Sequence, residues 1–171
     1  VRNLRNGVTA EGRIIGGRFT AVLGGIGGET VVDEGDVLEV SVYSRGKLIG
    51  RGRRSIGPEE IERAVAVIAV ERLPLRTVLL PNYPNPFNPD TWIPFRLAED
   101  AMVTIRIFDL NGRLVRRIEL GRLEAGVYES RDKAAYWDGR NELGEPVSSG
   151  VYLIELSTDG MRLLRRCCLV K

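Results

Sequence analysis

The sequence predicts an all-β protein of two β-sandwich domains in tandem, and three observations lead there. Apolar residues recur with period two more often than with period three or four. Twenty glycines punctuate that pattern every few residues, as short strands joined by tight turns require. The composition then changes at Pro81-Asn82-Tyr83-Pro84-Asn85-Pro86-Phe87-Asn88-Pro89-Asp90, where four prolines in nine residues forbid a regular helix or a central strand. With 171 residues, 43% of them hydrophobic, the chain has enough apolar surface for one medium core or two small ones.

In chain order, residues 19–23 read as a strand leading into the Gly-rich tip at residues 24–28, which suits either a binding loop or a flexible connection. Val37, Leu38, Val40, Val42 and Tyr43 form an extended run rich in β-branched residues, and residues 47–53 return as its hairpin partner across Ser44-Arg45-Gly46. The helical candidate, residues 58–64, starts with a proline and two glutamates, which suit a first helical turn. Residues 65–70 alternate between Val, Ile and Ala and read as a strand. Residues 1–76 are thus expected to be a β-sandwich spacer, and Asn6-Gly7, Gly16-Gly17-Arg18-Phe19 and Gly35-Asp36-Val37-Leu38-Glu39-Val40 with the following hairpin resemble the prealbumin-like and Ig-like β-sandwich repeats of surface proteins.

Residues 77–92 are expected to form an ordered strap. Tyr83, Phe87 and Trp92 are too apolar for a solvated linker, and the Pro and Asn residues between them lock turns. Residues 93–171 form the second sandwich, with strand candidates at residues 93–97, 103–108, 114–120, 126–129, 151–156 and 161–170. Phe87, Trp92, Ile107, Trp137, Val151 and Tyr152 are expected in its core or covering strap. A short internal similarity links residues 40–49 with residues 105–115, each a strand, a Gly-containing turn, a basic residue and a returning strand.

Composition also narrows the chemistry. Lys and Arg number 25 against 23 Asp and Glu, a net charge of +2 that is too balanced for a dedicated nucleic-acid binder. The chain has no histidine, which removes the usual neutral-pH base, the usual transition-metal ligand and every Ser/His or Cys/His nucleophilic pair. No Gly-rich loop precedes the Lys-Ser/Thr of a phosphate-binding P-loop. No apolar run approaches the ~20 residues of a membrane-spanning helix, so membrane insertion is not expected. The first seven residues lack the apolar stretch of a secretory signal. These features favour a binding, structural or targeting module without enzyme activity or cofactor.

The remaining motifs have structural readings. Asp109, Asn111 and Gly112 suit a tight hairpin turn, Asp as a cap and Asn-Gly for positive φ. The alternative is a calcium loop with Asp109, Asn111 and Asp138 as candidate ligands, although the later ligands of such a loop are missing. Trp137 followed by Asp138 and Gly139 suits a core residue and a turn, and Asn141 and Glu142 add oxygen atoms nearby. Gly150 and Tyr152 open a strand. Cys167 and Cys168 lie on opposite faces of the last strand and read as two free thiols, with an intermolecular disulfide through the outward one as the alternative. The pairs Arg53-Arg54, Arg116-Arg117 and Arg165-Arg166 read as solvated strand edges that discourage edge pairing.

Across residues 78–171 the motifs Tyr83-Pro84-Asn85-Pro86-Phe87-Asn88-Pro89-Asp90-Thr91-Trp92-Ile93, Ile107-Phe108-Asp109-Leu110-Asn111-Gly112-Arg113, Ala125-Gly126-Val127-Tyr128, Tyr136-Trp137-Asp138-Gly139-Arg140-Asn141, Gly144-Glu145-Pro146-Val147-Ser148-Ser149-Gly150-Val151-Tyr152 and Leu169-Val170-Lys171 follow one another. In that order they resemble the C-terminal Ig-like domain of large exported bacterial proteins, related to type IX secretion sorting domains and to the Ig-like domain of the flagellar hook-capping protein. The segment Arg131-Asp132-Lys133-Ala134-Ala135 resembles the form found in multidomain proteins of poribacterial type. The resemblance implies an Ig-like or fibronectin-like sandwich whose motif residues are Tyr83, Pro86, Phe87, Asn88, Pro89, Trp92, Asp109, Gly112, Trp137, Asp138, Gly139, Gly150 and Tyr152. It also implies the C-terminal region of a larger secreted or cell-surface protein, a sorting or anchoring element read at its C-terminus. The expected partners are the upstream domains and export or surface-attachment machinery. The alternatives are an adhesive or carbohydrate-binding module and a hook-cap-like assembly scaffold.

Overall fold

The structure is a computed structural model that describes residues 1–15, 21, 23, 31–63 and 65–171. The chain divides into two compact units, Val1–Arg72 and Leu73–Lys171.

In the first unit β1 (Arg2–Asn3), β2 (Val37–Ser44), β3 (Lys47–Ser55) and β4 (Glu71–Arg72) form one antiparallel sheet in the order β1-β2-β3-β4, with α1 (Pro58–Arg63) between β3 and β4. Period-two patterning buries Leu38 and Val40 of β2, and Ile56 is buried just beyond β3. Asn3, fully buried, donates from Nδ2 to Val31 O and to Asp36 Oδ2 at 2.7 Å, and Arg5 Nε donates to Asp36 Oδ1 at 2.6 Å. The Arg5 hydrogen bond, then the Asp33 amide and Asn3, hold the Asp36 carboxyl down at about 2 instead of 3.8. Glu60 caps α1 by accepting the Gly57 N–H at 3.0 Å and also pairs with Arg54. Arg53 pairs with Glu39 at 2.7 Å and Arg54 with Glu60, and both arginines stay exposed on the part of β3 beyond its pairing with β4, so these solvated residues also make ion pairs.

The sequence predicts a two-layered domain here; among the described residues the unit holds one sheet. The strand expected at residues 19–23 and the Gly-rich tip at residues 24–28 lie outside the described residues, apart from Ala21 and Leu23. Residues 65–70 do not form the expected strand. They cross close over β3: a Cβ added at Gly52 would lie 2.1 Å from the Ala69 carbonyl oxygen, and one at Gly50 would lie 2.8 Å from Val70 Cγ1. Pairing with β3 begins only where Arg72 and Glu71 meet Gly50 and Arg51.

In the second unit β5 (Val78–Leu79), β6 (Thr91–Ile93), β7 (Phe95–Leu97), β8 (Ala101–Phe108), β9 (Leu114–Leu123), β10 (Gly126–Tyr128), β11 (Ala135–Trp137), β12 (Gly150–Ser157) and β13 (Arg162–Leu169) make three sheets. A four-stranded sheet, β13-β12-β8-β9, packs against a layer formed by β10-β7-β5 and β11-β6, all antiparallel. The protein is therefore all-β, and this unit is a β-sandwich. Strict alternation sends Ala101, Val103, Ile105 and Ile107 of β8 inward, and Tyr152, Ile154 and Leu156 of β12 meet them in the core. Val151, expected in that core, is 38% exposed, because the inward positions of β12 begin one residue later at Tyr152.

The strand expected at residues 93–97 is split. Pro94 has no N–H for a ladder, so β6 pairs with β11 before it and β7 pairs with β5 and β10 after it. β11 is absent from the strands expected from the sequence, since three residues carry too short an alternation to read.

Gly52→Ala should destabilise the first unit by about 1–3 kcal/mol, because the added methyl meets backbone rather than a side chain that can swing away. Chemical denaturation followed by circular dichroism measures it. An unchanged midpoint would show that residues 65–70 do not cross β3 at this contact.

Candidate functional site

The residues singled out by the sequence gather where the strap meets the end of the second sandwich. Phe87, 2% exposed, is inserted beside Trp137 with ring centroids 5.3 Å apart, and Trp137 meets Tyr152 edge-on at 5.4 Å. The strap backbone pairs at the same place: Phe87 N–H donates to Cys168 O and Val170 N–H donates to Phe87 O, both at 3.0 Å. Cys168 N–H donates to Asn85 Oδ1 at 3.0 Å. Buried Asn82 donates from Nδ2 to Pro84 O and Thr91 Oγ1, and the Thr91 hydroxyl donates to Pro84 O. The peptide bonds before Pro84, Pro86 and Pro89 are cis. Pro86, Asn88 and Pro89 are exposed on the strap's outer side.

Gly139 shows why that motif position is glycine. Its φ is +68°, and a Cβ there would lie 2.4 Å from the Pro89 carbonyl oxygen, so only glycine lets the strap lie against the Trp137 turn. Trp137 Nε1 donates to Arg140 O at 2.9 Å, which satisfies the polar edge of an otherwise buried indole. The Tyr152 hydroxyl likewise reaches Ser148 O at 2.7 Å, and Gly150 opens β12 beneath the Tyr152 ring.

On the other side of the strap Tyr83, Trp92 and Tyr136 stand in a row across neighbouring strands. Tyr83 bridges Trp92, and Trp92 is registered with Tyr136. Their centroids are 6.1 Å and 5.5 Å apart, and the Arg131 guanidinium lies 4.3 Å from the Trp92 ring centroid. The Tyr83 hydroxyl donates to Glu129 O at 2.5 Å, and that of Tyr136 to Asp90 Oδ2 at 3.2 Å. Glu129, Arg131 and Ser148 are neighbours of these rings that sequence reasoning did not single out. Two of them act through backbone carbonyls, which carry no residue-specific signal, and Arg131 was legible only as part of a quoted motif.

The carboxylates are engaged in turns. Asp109 Oδ1 accepts the Asn111 and Arg113 amides at 3.0 and 2.9 Å, and Oδ2 accepts Arg113 Nε at 3.1 Å. The Arg113 amide, then that of Asn111 and the Arg113 side chain, hold the Asp109 carboxyl below its usual value against a smaller opposing effect of burial. Gly112 sits in the same turn with φ +79°. Asp138 accepts the Arg140 amide at 3.1 Å, Asn141 Oδ1 accepts those of Leu143 and Glu145, and Glu142 accepts that of Arg117. The Asp109 and Asp138 carboxylates are thus each bound within their own turns, and Asn111 joins the first through its backbone amide. Among the described residues no three His, Cys, Asp or Glu side chains converge as a metal group would need. Cys167 is buried and its thiol is pushed up to about 12, chiefly by burial, while Cys168 is half-buried, and both are free. Arg116 donates to Asn141 O and Arg165 to Leu79 O, so these two basic residues are tied to backbone.

Two outcomes are expected. Trp137→Ala should cost about 3–5 kcal/mol, read from the denaturation midpoint of the second unit, because a fully buried indole leaves a cavity beside Phe87 and Tyr152. A loss below about 1 kcal/mol would place the indole outside the core. In native protein an aromatic disulfide reagent should titrate one thiol, Cys168, and in denaturant two. Two fast thiols in the native state would contradict the buried placement of Cys167.

Residues 88–160 match the family model of the FlgD Ig-like domain. No curated protein matches the chain significantly. Among solved structures it is similar to PorZ of Porphyromonas gingivalis, described as an essential bacterial surface component of the type-IX secretion system, at 23% identity and a TM-score of 0.39, over 54% of this chain. It is also similar to dimeric latent PorU of the same organism, at 17% identity and a TM-score of 0.43 over 82% of this chain. An FlgD of P. aeruginosa aligns at 23% identity and a TM-score of 0.36, over 54% of this chain and 71% of that one. The chain spans only 11% of PorZ and 13% of PorU. The second unit thus carries an Ig-like domain similar to that of FlgD, with the Trp137 and Asp109 turns inside the matched residues.

Proposed function

We propose that the second unit is a non-catalytic sorting or anchoring module of a larger secreted or cell-surface bacterial protein, of the poribacterial multidomain kind, and that the first unit is its spacer. The observation that carries this reading is how the motif residues are used. Tyr83, Phe87, Trp92, Asp109, Gly112, Trp137, Asp138, Gly139 and Tyr152 serve turns, caps and ring contacts, which leaves the folded surface itself as the element to be recognised. The FlgD Ig-like match over residues 88–160 supports a module of this class. Its partners are then the upstream domains and the export or attachment machinery.

The test is a fusion of the whole chain to the end of an exported reporter, in a bacterium with type IX machinery. The expected outcome is reporter at the cell surface or in the medium, and its loss with Trp137→Ala. A folded fusion that stays periplasmic would overturn the sorting role.

A second reading, a carbohydrate-binding module, is favoured by one observation, the row of Tyr83, Trp92 and Tyr136 with Tyr136 48% exposed. Arg131 over the Trp92 ring covers the face on which a sugar would stack. Glycan binding that strengthens in Arg131→Ala would support this reading, and no binding by either form would remove it.

A further inference from the structure

We infer that the outer edge of β13 is a docking edge for an extended, acidic segment of a partner protein, which adds to the sheet beside residues 162–166. The strap shows which way this edge points. Cys168 exchanges hydrogen bonds with Asn85 and Phe87, and Val170 donates to Phe87, so the even-numbered residues of β13 turn their backbone polar groups away from β12. The strap covers only that C-terminal end. By the same alternation Leu164 and Arg166 turn their N–H and C=O groups outward, and among the described residues nothing bonds them on that side.

The chemistry of this open stretch selects the occupant. β13 contains Arg162, Arg165 and Arg166 and no carboxylate. An open groove of about 460 Å³ adjoins it, lined by Arg76, Val78, Leu79, Leu163, Leu164 and Arg165. Arg76, Arg162 and Arg166 make no ion pair among the described residues. Arg162, Leu164 and Arg166 share one face of the strand, with Leu164 61% exposed, while Leu163 turns toward the groove. A strand laid beside them meets the guanidinium groups of Arg162 and Arg166 on one face and, on the other, Leu163 and Val78 beside an Arg165 whose Nε is already held by Leu79 O, so acidic and apolar residues in alternation fit it. A second copy of this chain fits poorly. Antiparallel self-pairing about Leu164 sets Arg162 against Arg166 of the other copy, and like charges directly opposite are unfavourable. This docking edge rests on the second unit alone and stands whether or not the module sorts cargo.

Fluorescence anisotropy of the full chain with a labelled Glu-Val-Glu-Val-Glu-Val peptide tests it, with Lys-Val-Lys-Val-Lys-Val as the control. The acidic peptide should bind saturably, about tenfold or more tighter than the basic one at low salt. The double variant Arg162→Glu with Arg166→Glu should reverse the preference. Leu164→Pro, which removes only an outward N–H, should weaken binding by about tenfold, and the double variant decides the matter if the proline variant does not fold. No saturation by about 1 mM acidic peptide, or equal affinity for the two peptides, would overturn the proposal. So would binding unchanged in the charge-reversed variant, or a dimer in sedimentation that the acidic peptide does not dissociate.

Discussion

Phe87 is the contact on which the second unit depends. Its ring closes the end of the core against Trp137, and its two backbone bonds to Cys168 and Val170 fasten a segment that cannot pair along its length to the edge of β13. A proline-rich chain has few N–H groups to offer a ladder, so a single anchored residue with an apolar side chain replaces a strand. Burying that side chain is worth about 2 kcal/mol, and the tilted ring pair adds about 1 kcal/mol. Around it the Asn82, Thr91 and Pro84 hydrogen bonds and the close fit of Gly139 beneath Pro89 fix the path. Proline also narrows the freedom that the unfolded segment loses, which lowers the entropic cost of holding it.

From that anchor the rest of the sandwich follows by alternation. β8 and β12 present every second residue inward, and the opposing layer answers with Ile93, Phe95, Leu97 and Trp137. Pro94 lets one run of chain serve two small sheets, because its missing N–H breaks the ladder where β6 turns into β7. The carboxylates and amides that punctuate the sequence close the turns, as Asp109 and Asn141 do, so the polar motifs and the apolar core serve one architecture.

Much of this was legible in the sequence. Period two located β8, β9, β12 and β13, and the aromatic residues among the prolines marked Phe87 as a residue to be packed, because those patterns are local. What was not legible is what depends on contacts far apart in the chain. The inward phase of β12 begins at Tyr152 and not at Val151. β11 is too short to alternate. Residues 65–70 have the composition of a strand, but at Gly52 the crossing of backbone over backbone replaces pairing. The turn reading of Asp109 and Gly112 needed only local chemistry, whereas the Tyr83 and Tyr152 hydroxyls reach backbone carbonyls, that of Tyr83 46 residues away, which no residue type announces.

A covered edge and an open edge meet on β13, and the two share one design: the strap satisfies the outward groups at residues 168 and 170, and those at residues 164 and 166 are left for a partner. That view stands only if the strap is part of the folded core and not a linker lying on it. Native-state hydrogen exchange of the Phe87 and Val170 amides decides this most directly. The account predicts that both exchange only through global unfolding, with the same opening free energy as the Ile105 and Ile154 amides of the central strands. Exchange of Phe87 and Val170 at loop rates, while Ile105 and Ile154 stay protected, would contradict it.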